Sequence, residues 1–193
     1  MNERHRPHEQ TTGTAEAAPS ADAERASEAV GATALSLVHR TVRPEWIDYN
    51  GHMSEAFYVL VFGYATDAMM IETGLHAGYR ESTGCSLYTV ESHLRYLRDV
   101  AEGSHLAVRT RLLGADIKKA RFCHELYVVG APDAEPEPDA APAATSELLA
   151  LHVDQQAGRT APFPDSVRER LTALVESAPA WAGRSIAEVP AAR

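Results

Sequence analysis

The sequence predicts an α+β domain in which a curved antiparallel sheet wraps one long central helix. Three observations predict it. First, Ser54 to Thr73 (SEAFYVLVFGYATDAMMIET) repeats apolar residues at helical spacing, at Phe57, Leu60, Val61, Tyr64, Ala68 and Ile71. Second, Val59, Phe62, Ala65 and Met69 make the other sides of that helix apolar too, so it has to be covered on most sides within its own fold. Third, the segments that follow read as strands joined by short turns, up to one short helix near the end. A sheet with a single buried helix must curl round it to bury it.

The folded part begins near Leu35. Leu35 to Val42 (LSLVHRTV) is strand-like and stops before Pro44. The stretch PEWIDYNGHM, Pro44 to Met53, is rich in turn residues. The helix follows, with Ser54 at its N-cap and Gly74 where a left-handed residue ends it. Ser86 to Arg98 alternates, placing Tyr88, Val90, Leu94 and Tyr96 on one face and Glu91, His93 and Arg95 on the other. His105 to Leu113 sets Leu106, Val108, Thr110 and Leu112 on one side. Arg121 to Val129 and Glu147 to Val153 complete the sheet, and Asp165 to Val175 is a short amphipathic helix. This order is the architecture of the hotdog fold. Curling leaves an exposed sheet edge, and such edges are usually covered by a second copy, so a homodimer or homotetramer is expected.

One domain, residues 34–178, accounts for these elements. Residues 1–33 are rich in Ala, Glu, Thr and Ser and hold almost no large apolar residue, so they read as a disordered tail. Residues 131–146 (APDAEPEPDAAPAATS) read as a disordered acidic Pro/Ala-rich loop inserted within the domain, and residues 179–193 as a C-terminal tail.

Charge supports this division. Met1 to Thr33 carries six acids and three bases, and Ala131 to Ser146 four acids and no base, so of the net −9 only −2 belongs to the rest. No basic footprint for nucleic acid is present. No apolar run approaches the roughly 20 residues of a membrane span, and the N-terminus lacks the apolar core of a secretory signal. Cys85 and Cys123 are far apart with no metal spacing, which fits a reduced cytoplasm. His93, His105, His124 and His152 show no ligand spacing either, so no metal or other cofactor is expected.

The chemistry concentrates in Asp48-Tyr49-Asn50-Gly51-His52-Met53. This loop feeds the N-terminus of the buried helix, where unpaired N–H groups and partial positive charge can hold a carbonyl and the oxyanion formed on attack. Asp48 is the candidate base or direct nucleophile. Asn50 is placed to orient water or the carbonyl, and His52 to bond the carboxylate or the leaving group. Gly51 and Met53 complete the loop as substrate contacts.

Asp48, Asn50 and His52 match the D-x-N-x-H pattern of one branch of hotdog thioesterases, which includes plant acyl-carrier-protein thioesterases. The stretches PEWIDYNGHM, YTVESHLRYLRDV, LGADIKK and GRTAPFP resemble more closely the thioesterases of bacterial carnitine breakdown, often fused behind an L-carnitine dehydrogenase. The resemblance runs from Leu35 to Val175 outside the 131–146 insertion. It implies an acyl-CoA substrate, betainyl-CoA, and the products glycine betaine and coenzyme A. No G-x-G-x-x-G fingerprint occurs, so a dehydrogenase portion is not expected in this chain.

Other readings stand beside these. Asp48 and Asn50 also suit simple turn residues, and His52 a helix-start hydrogen bonder. DYNG resembles the start of a calcium loop, but its glycine is fourth and Val59 replaces the closing glutamate. Glu91 is either a second active-site acid or a partner of Arg95, and Asp99 reads as a turn residue. Trp46, Tyr49, Phe57, Tyr58, Tyr88 and Tyr96 are mostly core by default, yet several flank the loop, Trp46, Tyr49, Tyr58 and Tyr88 foremost, and some of them can cage a trimethylammonium group through cation–π attraction. The same fold also serves hydratases and non-catalytic acyl-CoA sensors.

Overall fold

The computed structural model of the chain describes residues 34–189; the tail expected over 1–33 and the last four residues lie outside them. The elements are β1 (Val38–Thr41), a 3₁₀ turn (Pro44–Trp46), α1 (Glu55–Glu72), α2 (Ala77–Thr83), β2 (Cys85–Tyr96), β3 (His105–Ala115), β4 (Lys119–Val129), β5 (Ala144–Asp154), β6 (Arg159–Thr160) and α3 (Asp165–Ala173). The strands form one curled antiparallel sheet in the order β1-β3-β4-β5-β2, with the short β6 also on β5. Strands β1 and β2 lie at opposite edges, so the connection between them must cross a face of the sheet. Helix α1 is that connection.

Helix α1 packs on β1, β3 and β4 and joins two clusters into one core. Tyr58, Val61, Phe62 and Ala65 meet Val38, Trp46, Leu106 and Leu126 near its start, and Met69 meets Phe122, Leu148 and Leu171 near its end. Burying each such large side chain contributes about 1.5–3 kcal/mol. Gly74 adopts φ +90° just beyond the helix, a conformation that any L side chain disfavours. The burial of α1 is one-sided, however: Val59 and Leu60 are 53% and 40% exposed. The sheet of one chain covers only the side facing it, and the remaining apolar side is left open.

Two stretches differ from their reading in sequence. Strand β5 begins at Ala144, so the last residues of the segment read as a loose loop are ladder, and residues 143–146 are buried. The Ala143 N–H donates to the Leu126 carbonyl and anchors that end. The segment after α3 is tied down as well. The Trp181 indole N–H donates to Glu125 Oε1 at 3.2 Å, and the Gly183 N–H to Glu147 Oε2 at 2.6 Å. A segment with few apolar residues thus holds on by donating to two carboxylates on the outer face of the sheet.

His124 links helix to sheet. Its ring is fully buried and stacks on Phe62. Its Nε2 lies 2.9 Å from the Thr66 hydroxyl and its Nδ1 2.9 Å from the Thr110 hydroxyl. Burial pushes its pKa down from 6.5 to about 3, so the folded protein holds it neutral. The unfolded chain takes up the proton first, so this contribution to stability is complete above about pH 6.5 and is lost as pH falls toward about 3. The expected loss is about 1.4 kcal/mol per pH unit. Urea midpoints at pH 7 and pH 4.5 check it: the acid loss should shrink in His124→Gln, and an unchanged loss would assign it to the carboxylates.

Among the described residues, no helix is long and apolar enough to cross a membrane. Cys85 and Cys123 are both free thiols, and burial pushes the Cys123 thiol up to about 12.

Candidate active site

The loop before α1 is a tight hairpin. Ile47 and Met53 face each other in an isolated bridge, and the Asp48 N–H donates to the His52 carbonyl at 3.0 Å. The Gly51 N–H returns to the Asp48 carbonyl, and Gly51 sits at φ +85°, which suits only glycine without strain. Two backbone bonds hold the hairpin on the core: Met53 N–H to the Val100 carbonyl, and Ser54 N–H to the Trp46 carbonyl. Met53 and Trp46 are both buried, and Trp46 stacks on Phe57 with its ring centroid 5.4 Å away.

Asp48 closes an Asx turn, its Oδ1 accepting from the Asn50 N–H at 2.8 Å. Its other oxygen, Oδ2, has no protein partner among the described residues. Ser54 is the N-cap of α1 by backbone angle, but its side chain makes no cap bond. The Phe57 N–H donates to the Ser54 carbonyl at 3.0 Å, which leaves the Glu55 and Ala56 N–H groups beside the hairpin as the first-turn donors without a backbone partner among the described residues.

His52 faces a cleft of about 360 Å³ lined by His52, Met53, Glu55, Tyr58, Tyr96, Leu97, Arg98 and Asp99. His52 Nε2 lies 3.9 Å from Asp99 Oδ2. The Tyr58 and Tyr96 rings meet edge to face at 5.2 Å. Burial first, then the Asp99 charge, raises the Tyr58 pKa; burial first, then the Glu55 charge, raises that of Tyr96. Both carboxylates therefore act on the aromatic pair.

The residues singled out in the sequence are not all brought together. Asp48, Asn50, Gly51, His52 and Met53 share the hairpin, and Tyr58 lies one turn into the helix. Tyr49 is 97% exposed, and Asn50 is exposed beside it. Trp46 is core, so its stacked ring offers no open face to a ligand of this chain. Glu91 and Tyr88 lie on the other side of the sheet. A bulge between Thr89 and Glu91 resets the alternation of β2, so Tyr88, Glu91, His93 and Arg95 share one face and Leu94 and Tyr96 the other. Within one chain Glu91 lines a different cleft, with His93, Arg121, Glu147 and Arg184, and the Tyr88 hydroxyl accepts from Gln155. Trp46, Tyr49, Tyr58 and Tyr88 thus form no common cage within a single chain, and Glu91, the candidate second acid, stands apart from Asp48 there.

Glu55 was not singled out in sequence, Asp99 was read as a turn residue, and Tyr96 was one of six aromatics weighed for the cage without being placed at the site. Their signal was positional: Glu55 follows the N-cap directly, and Tyr96 and Asp99 close the strand that ends beside it.

Comparison with known proteins bears on this geometry. The model of the thioesterase-like superfamily matches residues 42–171. A Pseudomonas aeruginosa protein named betainyl-CoA thioesterase is 45% identical over 143 residues, covering 74% of this chain and 85% of that protein. An Agrobacterium fabrum protein named L-carnitine dehydrogenase/betainyl-CoA thioesterase is 43% identical over 140 residues, covering 72% of this chain and 27% of that longer protein. Among solved structures, a Staphylococcus aureus protein in complex with CoA superposes with a TM-score of 0.70 at 25% identity, over 81% of this chain and 96% of that one. A Pseudomonas putida protein superposes with a TM-score of 0.65 at 37% identity, over 81% and 98%. A curled sheet against one long helix, a polar hairpin at the helix start and these matches together make the chain a hotdog-fold member of the thioesterase-like superfamily.

Proposed function

We propose that the protein hydrolyses betainyl-CoA to glycine betaine and coenzyme A, in carnitine catabolism in the cytoplasm. The observation that carries this reading is 45% identity to a betainyl-CoA thioesterase across 85% of that protein's length. The hairpin supplies chemistry suited to it. The thioester carbonyl lies at the start of α1, where first-turn N–H groups stabilise the oxyanion. Asp48 takes a proton from water through Oδ2 as the water oxygen bonds to the acyl carbon. The C–S bond then breaks, and the coenzyme A thiolate leaves and is protonated, with His52 placed to assist. Asn50 orients the water.

The active unit is a homodimer. Strand β2 is a long edge strand with exposed Tyr88 and Val90, α1 leaves Val59 and Leu60 open, and Tyr49 and Asn50 project from the hairpin. A second copy on this edge would cover all of them and bring its own β2 residues, Glu91 and Tyr88 among them, toward the hairpin.

Thiol release from a panel of acyl-CoA thioesters tests the function. The expected result is that betainyl-CoA gives the highest kcat/KM. Tight acyl-CoA binding without thiol release would instead make the protein a sensor.

A further inference from the structure

Resting on the proposed hydrolysis of a cationic acyl group, we infer that Tyr96, backed by the buried Tyr58, and the flanking Glu55 and Asp99 carboxylates read the positive charge of the substrate. They stand in place of the ring set Trp46, Tyr49 and Tyr88. The argument begins with place. The carbonyl of the thioester belongs at the start of α1, and in a betainyl group the cationic nitrogen is only two bonds from that carbonyl carbon. The charge must therefore be read within the first turn of α1 or on whatever packs against it. Glu55 is the first residue of α1, Tyr58 lies one turn on, and both line the cleft beside the hairpin.

The lining suits a cation that cannot donate a hydrogen bond. Tyr58 is buried in the core and its hydroxyl reaches the Arg98 carbonyl at 3.5 Å, so its ring is a fixed backing that holds Tyr96 in place rather than an open face. Tyr96 meets it edge to face at 78° and is 48% exposed, which leaves ring surface open to the cleft. Aromatic faces attract a quaternary ammonium without demanding a bond from it. Glu55 and Asp99 add negative charge. Arg98 turns its guanidinium to the Ala141 carbonyl at 2.7 Å, and the His52 ring faces Asp99. Such a lining repels an acyl group that ends in a carboxylate. The open Tyr96 ring is expected to favour the cation over a neutral group of equal shape by roughly two- to thirtyfold.

The experiment compares betainyl-CoA with 3,3-dimethylbutyryl-CoA, which has carbon in place of nitrogen, and reads the ratio of their kcat/KM values. A general loss of activity or of folded protein affects both substrates and cancels in the ratio. Wild type should favour the cation at least about tenfold. Tyr96→Leu and Glu55→Gln should each lower the ratio roughly two- to tenfold, and Tyr96→Phe should preserve it, because the ring face remains. An unchanged ratio in both Tyr96→Leu and Glu55→Gln overturns the inference and leaves the hydrolysis standing. A wild-type ratio near one does the same. Failure of wild type to release thiol from any acyl-CoA overturns the proposed function, and this inference with it.

Discussion

Replacing Asp48 by asparagine is expected to leave a folded protein whose kcat for thioester hydrolysis falls at least about 100-fold, the scale of losing a general base. The substitution is chosen for what it keeps. Asp48 Oδ1 accepts from the Asn50 N–H, and an asparagine side-chain carbonyl accepts the same bond. The backbone bonds of Asp48 to His52 and Gly51 are untouched. The hairpin geometry therefore survives, while the charge and basicity at Oδ2 disappear. Circular dichroism and thermal melting establish that the variant is folded, and thiol release under saturating substrate gives kcat. Turnover within about threefold of wild type in such a variant would take Asp48 out of the chemical step and leave it a turn residue.

How much of this was readable in sequence depends on which interactions define each element. Helix α1 was readable because its apolar residues recur at helical spacing over its whole length, and Gly74 marks its end; the structure sets it at Glu55–Glu72. The hairpin was readable because its aspartate, asparagine and glycine are the residues that tight turns demand. The faces of β2 were not. Alternation of side chains assumes an unbroken ladder, and the bulge after Thr89 inserts Val90 without any glycine or proline to announce it. That single residue moved Tyr88 away from Leu94 and Tyr96, and with it the aromatic set assigned to the cation. Tyr96, one of the six aromatics weighed for the cage, is the one that the structure sets against Tyr58. The strap after α3 was unreadable for a different reason. It binds through one indole and one backbone N–H, and backbone donors leave no trace in composition. One-sided burial of α1 was hidden too, because an apolar surface looks the same in sequence whether its own chain or a second copy covers it.

That last ambiguity leads to the second large effect. Val59→Asp combined with Val90→Lys is expected to convert the protein from dimer to monomer in gel filtration and to lower kcat at least about 100-fold. Both side chains are 53% exposed in the single chain, so the substitutions should cost that chain little stability. In a dimer built on the β2 edge and the open side of α1, both positions become buried. An aspartate buried there loses its hydration, and a lysine on an edge strand is a common device against strand pairing. The loss of turnover follows from the hairpin. Tyr49 and Asn50 face solvent in one chain, and Glu91 lies across the sheet from Asp48, so a lone chain leaves the reacting groups open to water and without the partner's β2. Donors aimed at an oxyanion are worth most where water is excluded. Far-ultraviolet circular dichroism should match wild type, separating dissociation from unfolding. A folded monomer with wild-type kcat would show that one chain carries a complete site. A double variant that stays dimeric would place the interface on another face.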